Sequence, residues 1–235
     1  MTSHVLIMTH LSGSSAYLLN AIAGHRGKPY KVTVISSADK PPQLPPEIEL
    51  IHDITLNTAT KKVERMVSET TATHILIQSD DVIVSPNIVE SMERATQYCK
   101  QQVLMTPMSN NEEGSRFFSY AENWMNHKDK RISEVPNIDL THVPTTRALI
   151  PVEWFAFYCA YLPVNLVKSI GLDENLENRY NDVDFCLRAA RLGIPSLINM
   201  GCLAYHYGSV TLKQIVTPEM YAEADAYWHK KMTAV

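Results

Sequence analysis

The feature that most constrains this chain is the regular alternation of short apolar runs with longer amphipathic ones through its N-terminal half. Ser3 to Thr9 reads as a buried strand, and Ala16 to Ala23 as a helix that stops near Gly24. Lys31 to Ser36, rich in β-branched residues, is a second strand, and Ile48 to Ile51 a short third. Thr58 to Thr71 has helical spacing, with Val63, Met66 and Val67 on one face, and His74 to Gln78 is a fourth strand. Pro86 to Lys100 is a helix with its proline in the first turn, followed by a strand at Val103 to Thr106. Residues 39–47 hold four prolines and suit neither a helix interior nor a central strand. Such alternation implies an α/β fold: a mostly parallel central sheet flanked by helices. Ligands of such sheets bind at the carboxyl ends of the strands, which puts Thr9, residues 36–39 and residues 79–81 on one rim.

The C-terminal half is less regular. Residues 109–148 are polar and mixed, with Trp124 and His127 on a short helix, and a stretch of this kind is expected to be a lid or binding loop. Trp154 to Tyr161 is aromatic and strand-like, and Val164 to Asp173 holds a short helix closed by Gly171. In Asn181 to Gly193 the apolar or small residues Val183, Cys186, Leu187 and Ala190 follow the i, i+3, i+4, i+7 spacing of a helical face. Asn181 or Asp182 is the expected N-cap, Gly193 the stop, and Pro195 prevents continuation. Ser196 to Met200 and Leu203 to Tyr205 are short strands, and Thr217 to Lys231 is a helix bearing Tyr221, Ala224 and Trp228.

Composition bounds the function. At 235 residues, 45% hydrophobic and 20% charged, the chain is expected to be one globular domain. A net charge of −4 and a pI near 6.1 give no bulk attraction for nucleic acid. Cys99, Cys159, Cys186 and Cys202 lack metal-type spacing and read as reduced thiols of a cytoplasmic protein. No apolar run approaches the length of a membrane span, so the expectation is a soluble protein with at most peripheral membrane contact.

Three sets of residues have chemistry to offer. Asp80 and Asp81 are adjacent carboxylates on a strand-end loop; they repel unless a cation or donor lies between them, and hard oxygens suit Mg²⁺ or Mn²⁺. They also suit an ordinary turn in which Asp side chains accept backbone N–H groups. Asp182 and Asp184 stand in the first turn of a helix, where capping alone is one use for them and proton transfer another. His206 follows a strand and precedes Tyr207-Gly208-Ser209. It is open to ordinary hydrogen bonding or to a place in a metal site.

In order, His-Ile-Leu-Ile-Gln-Ser-Asp-Asp at 74–81, Val-Asn-Leu-Val-Lys-Ser-Ile-Gly-Leu-Asp at 164–173, Asn181-Asp182 with its helix, and Ala204 to Ser209 form a series. This series resembles the family 2 glycosyltransferases of the GT-A fold, over roughly residues 3–210 and most densely from 159 to 209. The resemblance implies a single GT-A-like domain, with a nucleotide-sugar-binding half over 1–108 and an acceptor and catalytic half over 109–235. It implies an inverting, metal-dependent transfer of a sugar from a nucleotide-diphosphate sugar, such as a UDP-sugar, to an acceptor hydroxyl. It maps the metal contacts to Asp81 and His206, the nucleotide contacts to Thr9, Asp39 and Asp80, and the general base to Asp182. The cofactor implied is Mn²⁺ or Mg²⁺, and the acceptor a glycan or lipid-linked glycan. Two departures are visible: Ser79 stands where the first acid of a full Asp-x-Asp would be, and Asn181 where a Glu would precede Asp182. Trp124 and Trp154 are candidate acceptor platforms. Competing readings are a virus-encoded transferase acting on hydroxymethylated bases in DNA, a non-catalytic nucleotide-sugar-binding protein, and a sugar nucleotidyltransferase. The loop Thr9 to Ser15, with one Gly and no Lys or Arg, disfavours the last.

Overall fold

The computed structural model describes residues 1–10, 15–109, 148–176, 179–207 and 217–233. In chain order the strands are β1 (Ser3–Thr9), β2 (Lys31–Ser36), β3 (Glu49–His52), β4 (His74–Ser79), β5 (Val82–Val84), β6 (Leu104–Ser109), β7 (Leu149–Val152), β8 (Cys159–Pro163) and β9 (Ser196–His206). The helices are α1 (Ala16–Ala23), α2 (Ala59–Glu69), α3 (Ile88–Cys99), α4 (Val164–Ile170), α5 (Asn181–Arg191) and α6 (Pro218–Thr233), with a 3₁₀ turn at Glu174–Leu176. Local chemistry sets several helix starts. Ser15 accepts the Leu18 N–H at 3.1 Å to cap α1, and Thr58 accepts the Lys61 N–H at 3.2 Å to cap α2.

All nine strands join one sheet in the order β3-β2-β1-β4-β8-β6-β9-β5, with β7 also paired to β9. The first four strands run parallel. Beyond them the sheet is mixed: β8 is antiparallel to β4 and β6, while β9 is parallel to β6 and antiparallel to β5 and β7. Side chains alternate across the pleat and build a core on each face. On one face Val5 and Ile7 of β1 pack with Leu18 and Ile22 of α1 and Ile88 and Met92 of α3. On the other, Leu6 packs with Val63, Met66 and Val67 of α2, Leu166 and Val167 of α4, and Phe185 and Ala189 of α5.

The structure corrects several expectations. Trp154 to Tyr161 is not one strand, because β8 begins at Cys159. The aromatic residues before it are loop anchors: Phe155 is buried and Trp154 and Phe157 pack on the same core, Phe157 meeting Phe185 edge-on at 5.6 Å. Trp154 is half-buried against that core, and Trp124 and His127 lie outside the described residues. The two short strands at 196–205 are one strand, β9, with a register shift opposite Pro107 and Met108. There the Asn199 side chain accepts from the Gly201 N–H at 2.9 Å and donates to Ser91 O at 3.1 Å, satisfying the extra residues of the bulge. The N-cap of α5 is Tyr180, in the left-handed region at φ 66°, rather than Asn181 or Asp182.

Candidate functional site

Parallel pairing puts the ends of β1, β2 and β4 side by side, with Met8 opposite Ser79 and Thr9 opposite Ser36. At that edge Thr9 Oγ1 donates to Asp80 Oδ2 at 2.5 Å, and the Asp80 N–H donates to Met8 O at 3.1 Å. Thr9, Asp80 and Asp81 are all buried. The chain then turns into β5, whose antiparallel register sets Val82 opposite His206. The Tyr207 N–H closes this corner by donating to Asp81 O at 3.0 Å. As a result His206 Nε2 lies 3.2 Å from Asp81 Oδ1, with both side chains buried.

Asp182 reaches the same region through the loop before β8. The Phe157 backbone N–H donates to the Asp182 carboxylate, as does the Val183 N–H at 2.8 Å. The next residue, Tyr158, accepts from the Ser79 N–H at 2.9 Å and stacks its ring on His206 at 4.5 Å between centroids. Two consecutive residues thus tie the start of α5 to the carboxylate rim. Burial raises the pKa of Asp182, and the backbone N–H donors from Val183 and Phe157 pull it back in part. Its neighbour Asp184 is held differently: Arg188 Nε at 2.7 Å and Lys231 Nζ at 2.6 Å neutralise it. Arg188 also donates to Ile170 O and Gly171 O, closing the C-terminal end of α4.

Asp39 lies exposed on the bend after β2, apart from the contacts that join Thr9, Asp80, Asp81 and His206. The structure instead brings in Lys62 and His10. Lys62 is fully buried, and its Nζ donates to Thr9 O at 3.0 Å and to His10 Nε2 at 2.8 Å. His10 Nδ1 in turn lies 2.7 Å from Ser37 Oγ. Burial pushes the Lys62 pKa down to about 7 against the opposing pull of Asp80. Burial, then Lys62, pushes His10 down to about 4. Lys62 follows Lys61 on α2, and in the sequence it resembles any solvated helix charge; the only available signal is that it precedes Val63 on the edge of the apolar face.

Two hard carboxylates and an imidazole on one rim are a donor set for a divalent cation bound jointly with phosphate oxygens. Among the described residues no three His, Cys, Asp or Glu side chains converge as a closed metal cage. Asp81 and His206 are the two of these donors that the structure brings into direct contact.

The mixed sheet flanked by helices has a GT-A-type fold, as its structural neighbours show. No protein-family model matches the chain, and no curated protein matches it in sequence. In three dimensions it is similar to GalNAc-T7, whose crystal structure holds UDP, GalNAc and Mn²⁺, over 87% of this chain with a TM-score of 0.60 and 8% identity. It is similar to S. aureus TarS over 95% of this chain with a TM-score of 0.57 and 12% identity. A shorter form, TarS 1-349, matches over 89% with a TM-score of 0.56 and 11% identity. The chain spans 43%, 38% and 61% of those three chains.

Proposed function

We propose that this chain is an inverting glycosyltransferase that moves a sugar from a nucleotide-diphosphate sugar to an acceptor hydroxyl with the help of a divalent cation. The observation that carries this reading is the Asp81–His206 contact. It joins the end of β4 to the end of β9, at the rim where a parallel sheet binds its ligand. The GT-A fold shared with glycosyltransferases, one of them crystallised with UDP and Mn²⁺, supports it.

In the reaction an acceptor oxygen attacks the anomeric carbon from the face opposite the diphosphate. The new C–O bond forms as the bond to the phosphate oxygen breaks, and the acceptor proton passes to Asp182. A carboxylate with a raised pKa is the better proton acceptor, and the two backbone donors hold its orientation. Asp81 and His206 would hold Mn²⁺ or Mg²⁺, which supplies neutralisation of the leaving diphosphate. Asp80, fixed by Thr9 and facing the charge of Lys62, would orient the nucleotide side, with Asp39 at its outer edge. The acceptor proposed is a glycan or lipid-linked glycan, since a net charge of −4 offers no bulk attraction to a DNA backbone. Among the described residues no helix is long and apolar enough to cross a membrane.

The test is calorimetric binding of nucleoside diphosphates, alongside release of nucleoside diphosphate from a panel of nucleotide sugars. Binding is expected only with Mg²⁺ or Mn²⁺, and Asp81→Ala should abolish both binding and turnover. Equal binding in excess chelator would sink the cation site, and no release with any donor would sink the transferase.

A further inference from the structure

Beside Asp182 the chain gathers a second set of groups that the transfer step leaves unused. Tyr180 adopts φ 66°, a backbone region that a bulky side chain rarely enters and that surrounding contacts must hold. Its ring stacks on Trp228 of α6 at 5.1 Å and 14° from parallel. The Arg179 guanidinium lies 5.0 Å from the Tyr180 ring and 5.3 Å from the Tyr221 ring, and its Nη1 is 3.0 Å from Asp225 Oδ2. The three rings are half-buried rather than sealed in the core. Asp225 Oδ1, the second oxygen of that carboxylate, is buried and makes no close hydrogen bond among the described residues, while the Tyr180 hydroxyl lies near enough to the carboxylate for it to raise the tyrosine's pKa, after burial. An acceptor atom in that state costs stability until a donor reaches it.

Flat rings beside a planar guanidinium and a carboxylate match one ligand chemistry closely. A pyranose presents a C–H face that packs on an aromatic ring and a rim of hydroxyls that donate to carboxylates and accept from guanidinium. We infer that Arg179, Tyr180, Tyr221, Asp225 and Trp228 form a subsite for a carbohydrate ring of the acceptor, next to the attacking hydroxyl, a reading that rests on Asp182 being the base. It makes the acceptor a saccharide rather than a nucleobase or a simple alcohol. It also makes α6 part of the substrate surface.

The experiment is saturation-transfer NMR on the full chain with the methyl glycosides of glucose, galactose and N-acetylglucosamine, in wild type and in Trp228→Leu, Trp228→Phe and Asp225→Asn. Trp228→Leu keeps an apolar contact with Tyr180 but removes the flat ring, while Trp228→Phe restores a ring. Wild type should bind at least one glycoside. Trp228→Leu should weaken that binding about tenfold, the upper end for one aromatic contact, and Trp228→Phe should recover most of it. Binding unchanged in Trp228→Leu, or no glycoside bound by wild type, overturns the subsite. If Trp228→Leu melts below room temperature, Asp225→Asn decides the matter: full binding there also overturns it. Glycoside binding that is lost in Trp228→Leu, with no donor turnover in any assay, would leave the subsite standing and reject the transferase. Donor turnover with an acceptor KM unchanged in Trp228→Leu would do the reverse.

Discussion

Asp182 and Asp184 share the first turn of α5, yet their surroundings give them opposite chemistry. Asp184 faces Arg188 and Lys231, which hold it as a paired anion. Among the described residues Asp182 takes only backbone donors, and burial raises its pKa. Asp182→Asn keeps the size and an oxygen that accepts the Val183 N–H, so the fold and donor affinity should survive. Turnover should fall by at least about 10²-fold, the lower end for loss of a positioned base. Initial rates and donor calorimetry on the same protein check this: normal turnover would remove the base assignment, and lost donor binding would move Asp182 to the diphosphate side. Lys62 shows the limit of reading residues one at a time. Its neighbour Lys61 reaches the side chain of Asn57 at 3.0 Å at the surface, and a place at the edge of the apolar face is all that separates the two in the sequence. Only the closure of α2 over β1 makes one of them buried.

At the scale of elements, the end of α1 closely approaches β5. A Cβ on Gly24 would lie 3.0 Å from both Val84 Cγ2 and Val84 O, and the carbonyl is backbone, which cannot swing aside as the end of a flexible side chain can. Gly24→Ala should therefore lift the end of α1 from β5 and cost roughly 1–3 kcal/mol. Urea unfolding measures it, and a variant as stable as wild type would show that the contact relaxes freely. Elements with strong periodicity were legible: β1 and β2 have the expected limits, and α2 buries Val63, Met66 and Val67 as its spacing requires. Three residues of β5 carry too little pattern to be read, and the aromatic run at 154–161 alternates because a loop plants its rings in the core. The carboxylates and His206 stood out because motifs place them at strand ends. The Tyr180–Trp228 pair did not, since it depends on two helices meeting and on a backbone angle that no residue type at that position signals.

Across the whole molecule, buried titratable groups make stability depend on pH. Burial lowers His4, His10, His25 and His74 to about 4, against about 6.5 in an unfolded chain. Between those values the unfolded state binds more protons, so the stability present above pH 6.5 is lost as pH falls toward 4. Lys62, at about 7 folded and 10.5 unfolded, acts with the same sign in a higher window, its penalty easing as pH rises above 7. The melting temperature should rise from pH 4.5 to 6.5 and again from 7 to 8.5, and Lys62→Met should flatten only the upper part. A flat wild-type profile from 7 to 8.5 would show that Lys62 titrates normally. The order of strands in the sheet has a kinetic consequence. The pairs among β1, β2, β3 and β4 close short loops and can form early, whereas β4 meets β8 and β5 meets β9 only after most of the chain has been placed. A chain emerging from the ribosome can thus pair its four parallel strands while His206 and Asp182 are still unmade. The Asp81–His206 contact therefore forms late, so a half-folded copy has the carboxylates at the end of β4 without the imidazole and the helix start that the proposed transfer requires.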